Sequence, residues 1–185
     1  MVGAIGGGGH SGCCFKDPTY CYCSLLQRTS SHPPVHSHRM SYTITVRVFQ
    51  TNPSNGAYFR IVEQTTFRSG DGKNEWNVIQ GAPTIAFGGS GTSGALRFKS
   101  DKTNEPFIVV LGVHNYKRWC DIVTDPAPLQ TAMAINEEYY GGGGRHGQRE
   151  RQNTSCNATN SSGRKITVNY SVAEGNSLVA DIIVG

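Results

Sequence analysis

The sequence predicts an all-β fold, an antiparallel β-sandwich of two sheets with short helical connectors, and three observations carry that expectation. Residues 42–49, YTITVRVF, alternate Ile44, Val46 and Val48 against Thr43, Thr45 and Arg47, the period of a half-buried strand. The run FIVVLG at 107–112 is rich in β-branched residues, as a strand on a rigid sheet should be. Further β-rich segments recur down the chain between Gly, Pro, Asn and Ser turns, and two packed layers are the simplest way to bury them all.

Taken in order, composition changes at Met40–Ser41, where Gly, Cys, Ser, Pro and His give way to the first strand. The turn residues NPSNG at 52–56 and a second β-rich run from Tyr58 to Phe67 together read as a long hairpin or meander with that strand. Strand signals follow at Thr84–Phe87, Ala95–Phe98, Phe107–Val113, Lys165–Val172 and Leu178–Val184. The segment 125–135, DPAPLQTAMAI, suits a short helix or turn, and the polar, arginine-rich stretch from Arg145 to Gln152 is a second helix candidate entered through Gly141–Gly144. The organisation expected is an N-terminal extension, residues 1–40, followed by one domain, residues 41–185.

A chain of 185 residues can bury a core without help from disulfides or metals. Its net charge of +4 comes from scattered Lys and Arg, a poor footprint for nucleic acid. No apolar run approaches the roughly 18–20 residues of a membrane-spanning helix, and Met1–Cys14 lacks the cationic and apolar regions of a signal peptide. A cytoplasmic protein is expected, its sequons at Asn153, Asn157, Asn160 and Asn169 unused as glycan acceptors. Cys13, Cys14, Cys21 and Cys23, with His10, His32, His36 and His38 nearby, do not match zinc-ligand spacing. Neither metal nor cofactor is expected. Cys120 and Cys156 lie far apart in sequence, and a cytosolic setting argues against a bridge.

The segment GVHNYKRWCDIVT, residues 112–124, ends the apolar strand and gathers an imidazole, an amide, a phenol, an indole, a thiol and a carboxylate. The loop GGSGTSG, residues 88–94, lies one strand earlier. Such density on a rigid sheet is economical for binding, because the polar groups are ordered in advance.

These two segments, with residues 41–51, Tyr139–Tyr140 and Ala173–Asn176, closely resemble the fungal fruit-body lectins, in order from Ser41 to Gly185. The resemblance implies an actinoporin-like sandwich whose two sheets are joined by a helix-loop-helix. It also implies a homotetramer, and binding of cell-surface and glycoprotein glycans without catalysis. Two sites per subunit are implied, one for galactose-β1,3-N-acetylgalactosamine and one for terminal N-acetylglucosamine, with a role in defence. Carried across by residue, the first site comprises Ser90, Gly91, His114 and Asn115, with a loop position at Gly70 or, given a one-residue insertion, Asp71. Tyr116 offers an aromatic face for a sugar ring. The Ser90 hydroxyl and the Asn115 amide both donate and accept, as a hydroxyl-rich ligand requires.

The second site comprises Asp121, Ile122 and Thr124, with Arg145 reaching in and Trp119 supporting the wall. Asp121 can accept from two hydroxyls, and Arg145 supplies a rigid donor fork. Where the family places a tyrosine this chain has Cys156; losing one neutral hydrogen bond of about 0.5–1.5 kcal/mol weakens a site roughly three- to tenfold. Asn153 in place of an apolar residue, and the loose Gly141–Gly144 approach to Arg145, act in the same direction.

Without the resemblance the same residues have plainer readings: His114 satisfied within the fold, Trp119 as core, Ser90 as turn chemistry, Lys117 and Arg118 as solvated charges. An enzyme built on Cys120, His114 and Asp121 is disfavoured, since adjacent strand residues point to opposite faces. A pore-forming cytolysin would need an amphipathic N-terminal helix, which Met1–Met40 does not supply. A storage protein is the remaining alternative.

Overall fold

A computed structural model describes residues 41–51, 56–67 and 74–185; expectations for residues 1–40, most of the 52–56 turn, and Gly70 and Asp71 lie outside them. Ten strands and two short helices are described: β1 Tyr42–Gln50, β2 Phe59–Phe67, β3 Glu75–Ile79, β4 Ala82–Phe87, β5 Thr92–Ser100, β6 Pro106–His114 and β7 Lys117–Thr124. Then come α1 Ala132–Glu137, α2 His146–Glu150, β8 Ser155–Thr159, β9 Lys165–Val172 and β10 Ser177–Val184. One sheet has the order β3-β4-β1-β10-β9-β8 and the other β2-β5-β6-β7. Every pairing is antiparallel except the central one, where β1 runs parallel to β10 with Ile44 opposite Leu178 and Val48 opposite Ile182.

The alternating residues of both sheets meet in one core. Ile44, Val46, Ile85, Phe87, Val168 and Ile182 from the six-stranded sheet face Leu96, Phe98, Phe107, Val109 and Leu111 from the four-stranded sheet. Residues 107–113 form an unbroken apolar run because β6 is covered on both faces. Val109 and Leu111 belong to the inter-sheet core, while Ile108 and Val110 pack outward against Trp119, Ala132, Ile135 and Tyr139, and a strand with no wet face does not alternate. The helix-loop-helix thus lies on the outer face of the four-stranded sheet. Thr131 caps α1 by accepting from the Ala134 amide at 3.1 Å, and Glu63 of β2 accepts from the Ala132 amide at 2.8 Å, satisfying donors a helix start leaves free.

The hairpin expected between β1 and β2 is not formed, because the two strands lie in different sheets. The reversal is instead a corner between layers. Gln50 clamps it, its amide oxygen accepting from the Phe59 N–H at 2.8 Å and its amide nitrogen donating to the Phe59 carbonyl at 2.9 Å. Replacing Gln50 with Ala leaves both groups of a 5 % exposed residue without partners. A loss of about 1–3 kcal/mol is expected in urea denaturation; a loss below about 0.5 kcal/mol would show that water takes over the clamp.

Candidate functional site

Two connections converge at one end of the four-stranded sheet. The β4–β5 loop carries Ser90 and Gly91, and the β6–β7 turn carries Asn115 and Tyr116 next to His114, the last residue of β6. The Gly91 amide donates to the Val113 carbonyl at 2.8 Å, and the Tyr116 amide donates to the Ser90 hydroxyl at 3.0 Å. Five of the residues expected in the first site are therefore brought together.

The turn itself is strained. Asn115 has φ 48° and Tyr116 φ 62°, the two-residue geometry that matches strand twist. Asn tolerates it, whereas an aromatic residue adopts it at a cost. Tyr116 stands 69 % exposed on a turn that also carries Asn115, next to His114 and bonded through its backbone to Ser90, an arrangement able to hold a polar ligand with one apolar face.

His114 is fixed from behind. Its Nε2 lies 3.1 Å from Glu150 Oε2 and its carbonyl accepts from the Gln152 side chain at 3.1 Å. Arg149 donates to Glu150 at 2.7 Å, holding that carboxyl below the usual range, with His114 adding to the effect. The Arg149 guanidinium also sits 4.7 Å above the Tyr140 ring. Tyr140 stacks on Phe67 at 3.6 Å and donates to Ser93, which donates to Asn136 at 2.6 Å. Burial pushes the Tyr140 hydroxyl up to about 12, so it stays a donor. This supporting network has one sequence signal, the pair His146 and Glu150 at i,i+4, whose side chains lie 3.3 Å apart on α2.

The second group of residues is divided between the faces of β7. On the outer face Asp121 accepts from Tyr139 Oη at 2.7 Å, and burial followed by the Asp121 charge pushes that phenol far above its usual range. Arg145 comes within 3.8 Å of Asp121 and is held chiefly by Glu138, at 3.1 Å. Trp119 is fully buried beneath, its ring 4.9 Å from Tyr139, so it supports the wall from behind.

Cys120 and Ile122 point the other way, into the inter-sheet core, which also separates Cys120 from Asp121 and His114 as a catalytic set. Thr124 shares their face by the two-residue period. The Cys120 amide donates outward to the Asn153 carbonyl at 3.0 Å. By the same period the backbone groups of Ile122 and Thr124 point to the free edge of β7, the last strand of its sheet. Ile122 therefore offers its backbone rather than its 8 % exposed side chain. Cys156, on β8, has its thiol 3.5 Å from that of Cys120. A ligand lying along the β7 edge would meet Asp121 and Arg145 from one side and Thr124 from the other. Among the described residues no cluster of side chains suits a metal ion, and no helix is long and apolar enough to cross a membrane.

Residues 40–182 match the family model described as fungal fruit body lectin. A lectin of Boletus edulis is 50 % identical over 144 residues, covering 78 % of this chain and 99 % of that protein. Crystal structures of Xerocomus chrysenteron lectin, likewise 50 % identical, superpose with TM-scores of 0.76 for a substituted form and 0.75 for the wild type. They cover 80 % and 79 % of this chain and 99 % and 100 % of theirs.

Proposed function

Because this chain belongs to the fungal fruit body lectin family and is a carbohydrate-binding protein rather than an enzyme, we propose that it binds galactose-β1,3-N-acetylgalactosamine in the cradle of Ser90, Gly91, His114, Asn115 and Tyr116. The observation that carries this reading is the coupling of the Ser90 loop to the strained Asn115–Tyr116 turn, which brings an exposed aromatic residue into one group with Ser90, His114 and Asn115. Terminal N-acetylglucosamine is assigned to the edge of β7, between Asp121 with Arg145 and the Ile122–Thr124 backbone. It is the weaker site, because Cys156 stands where a phenol would add a hydrogen bond and a wall.

In the same reading the protein is a cytoplasmic homotetramer acting in defence. Several copies of one shallow site raise avidity by about two to four orders of magnitude when the geometry permits. Light scattering on the eluting protein checks the assembly; a monomer at micromolar concentration would remove that multivalency.

Calorimetric titration of wild type, Asn115→Ala and Asp121→Ala with each sugar tests the division. Asn115→Ala is expected to lower disaccharide affinity at least tenfold, about 1.4 kcal/mol, and leave N-acetylglucosamine unchanged; Asp121→Ala should do the reverse. If either variant weakens both sugars equally, the two-site reading fails. If the folded wild type binds neither, the sugar assignment fails altogether.

A further inference from the structure

We propose that Cys120 and Cys156 are a latent disulfide that cross-links the two sheets along their β7–β8 seam under oxidising conditions. The two thiols are free, belong to edge strands of different sheets, and lie 3.5 Å apart although 36 residues separate them in the chain. Covalent bonding at about 2.05 Å requires the sulfurs to close by roughly 1.5 Å. β8 can yield, since it is a five-residue edge strand with alternate residues exposed. The backbone already spans the seam, through the Cys120 amide and the Asn153 carbonyl at 3.0 Å.

Access sets the order of events. Cys120 is 2 % exposed and Cys156 only partly buried, so a low-molecular-weight disulfide such as oxidised glutathione meets Cys156 first. The Cys156 thiolate attacks one sulfur of the oxidant and expels one small thiolate. The Cys120 thiolate then attacks the Cys156 sulfur of the mixed disulfide and expels the second. Two protein S–H groups and one small disulfide become one protein S–S bond and two small thiols, with two electrons passed to the oxidant. The hydrogen bond with Cys120, and then burial, raise the Cys156 thiol well above its ordinary range, so the exchange is slow at neutral pH and speeds up as pH rises. The loop so closed contains α1 and α2, and closing it restrains the unfolded chain.

The test is native oxidation of the full chain with oxidised glutathione, alkylation of remaining thiols, and digestion with trypsin without reduction. Cleavage after Arg118, Arg145, Arg151 and Arg164 puts Cys120 and Cys156 on separate peptides, apart from Cys13, Cys14, Cys21 and Cys23. The expected result is a linked pair spanning 119–145 and 152–164. It should come with a rise in thermal midpoint of roughly 5–15 °C that dithiothreitol reverses and that Cys120→Ser and Cys156→Ser both lack. Cys156→Ser, at the more exposed position, keeps the comparison available if the buried Cys120→Ser misfolds. Two separately alkylated peptides, glutathione retained on Cys156, or a linked pair without a rise would each overturn the proposal.

Discussion

Replacing Glu105 with Gln is expected to cost about 3–5 kcal/mol, the penalty for removing one charged member of a buried ion pair. Glu105, 9 % exposed, accepts from Arg164 Nε at 2.8 Å and Nη2 at 3.2 Å and from Asn160 at 2.8 Å. The guanidinium in turn lies 5.0 Å above the Phe59 ring. These contacts join the β5–β6 turn to the β8–β9 turn at the end of the sandwich away from Ser90 and His114, so the loss should appear in stability and not in sugar affinity.

The Arg164 hydrogen bonds hold the Glu105 carboxyl down at about 2, against a starting value of 4.5. A carboxyl with a lowered folded pKa stabilises fully above its unfolded pKa and progressively less as pH falls through the folded one. Wild-type stability should therefore decline between about pH 4.5 and pH 2, with a shallower decline in Glu105→Gln. Urea denaturation across that range checks both statements; a neutral-pH difference below about 1 kcal/mol would mean that solvent reaches Arg164 and takes over from the carboxylate.

The second large effect is expected at Trp119. The indole is the largest fully buried side chain, and Trp119→Ala should cost about 3–5 kcal/mol through lost contacts and the cavity left behind. Its Nε1 is buried with no hydrogen-bond partner among the described residues, a standing penalty of about 1–3 kcal/mol. Trp119→Phe removes that unpaired donor along with some volume and should cost less than half as much as Ala. The two substitutions also separate support from contact. Tyr139 rests on this ring and holds Asp121, so if the proposed second site binds N-acetylglucosamine, Trp119→Phe should keep that binding within a few-fold of wild type. A larger loss in a variant that remains folded would place the indole itself against the ligand.

Strands whose residues alternate, or are apolar throughout, could be read from the sequence, and the others could not. β1, β9 and β10 alternate, and β6 is apolar throughout because helices cover its second face. β3, β7 and β8 are not among the strand signals: β3 and β8 lie at the edges of the six-stranded sheet and turn few residues inward, with Trp76 alone half-buried in β3, while β7, dry on both faces, interleaves its apolar residues with the polar residues Lys117, Arg118, Asp121 and Thr124 and so shows no clean alternation. Turn chemistry at 52–56 announced a reversal but carried no information about which sheet would receive the chain; that is decided by the Gln50 clamp, two hydrogen bonds invisible to periodicity.

For the sites, resemblance identified Ser90, Gly91 and His114–Tyr116 as one group, and the structure places them so. Strand alternation is enough to put Asp121 and Ile122 on opposite faces; what the resemblance could not reveal is that Arg149 and Glu150 restrain His114, because that depends on how α2 packs over the sheet.

The parallel pairing of β1 with β10 sets a condition on biosynthesis. Thr43 hydrogen-bonds through its amide to the Asn176 carbonyl, and Arg47 pairs with Asp181, 134 positions further along the chain, at 2.6 Å. The middle of the larger sheet is therefore missing until residues 177–184 have left the ribosome. β1 must wait with its β10-facing edge open while everything between is translated. Such a domain closes only once β10 is available, and slowly, because its central contact is among the most distant in the chain, and during that delay the open edge of β1 is the surface most in need of protection from other chains.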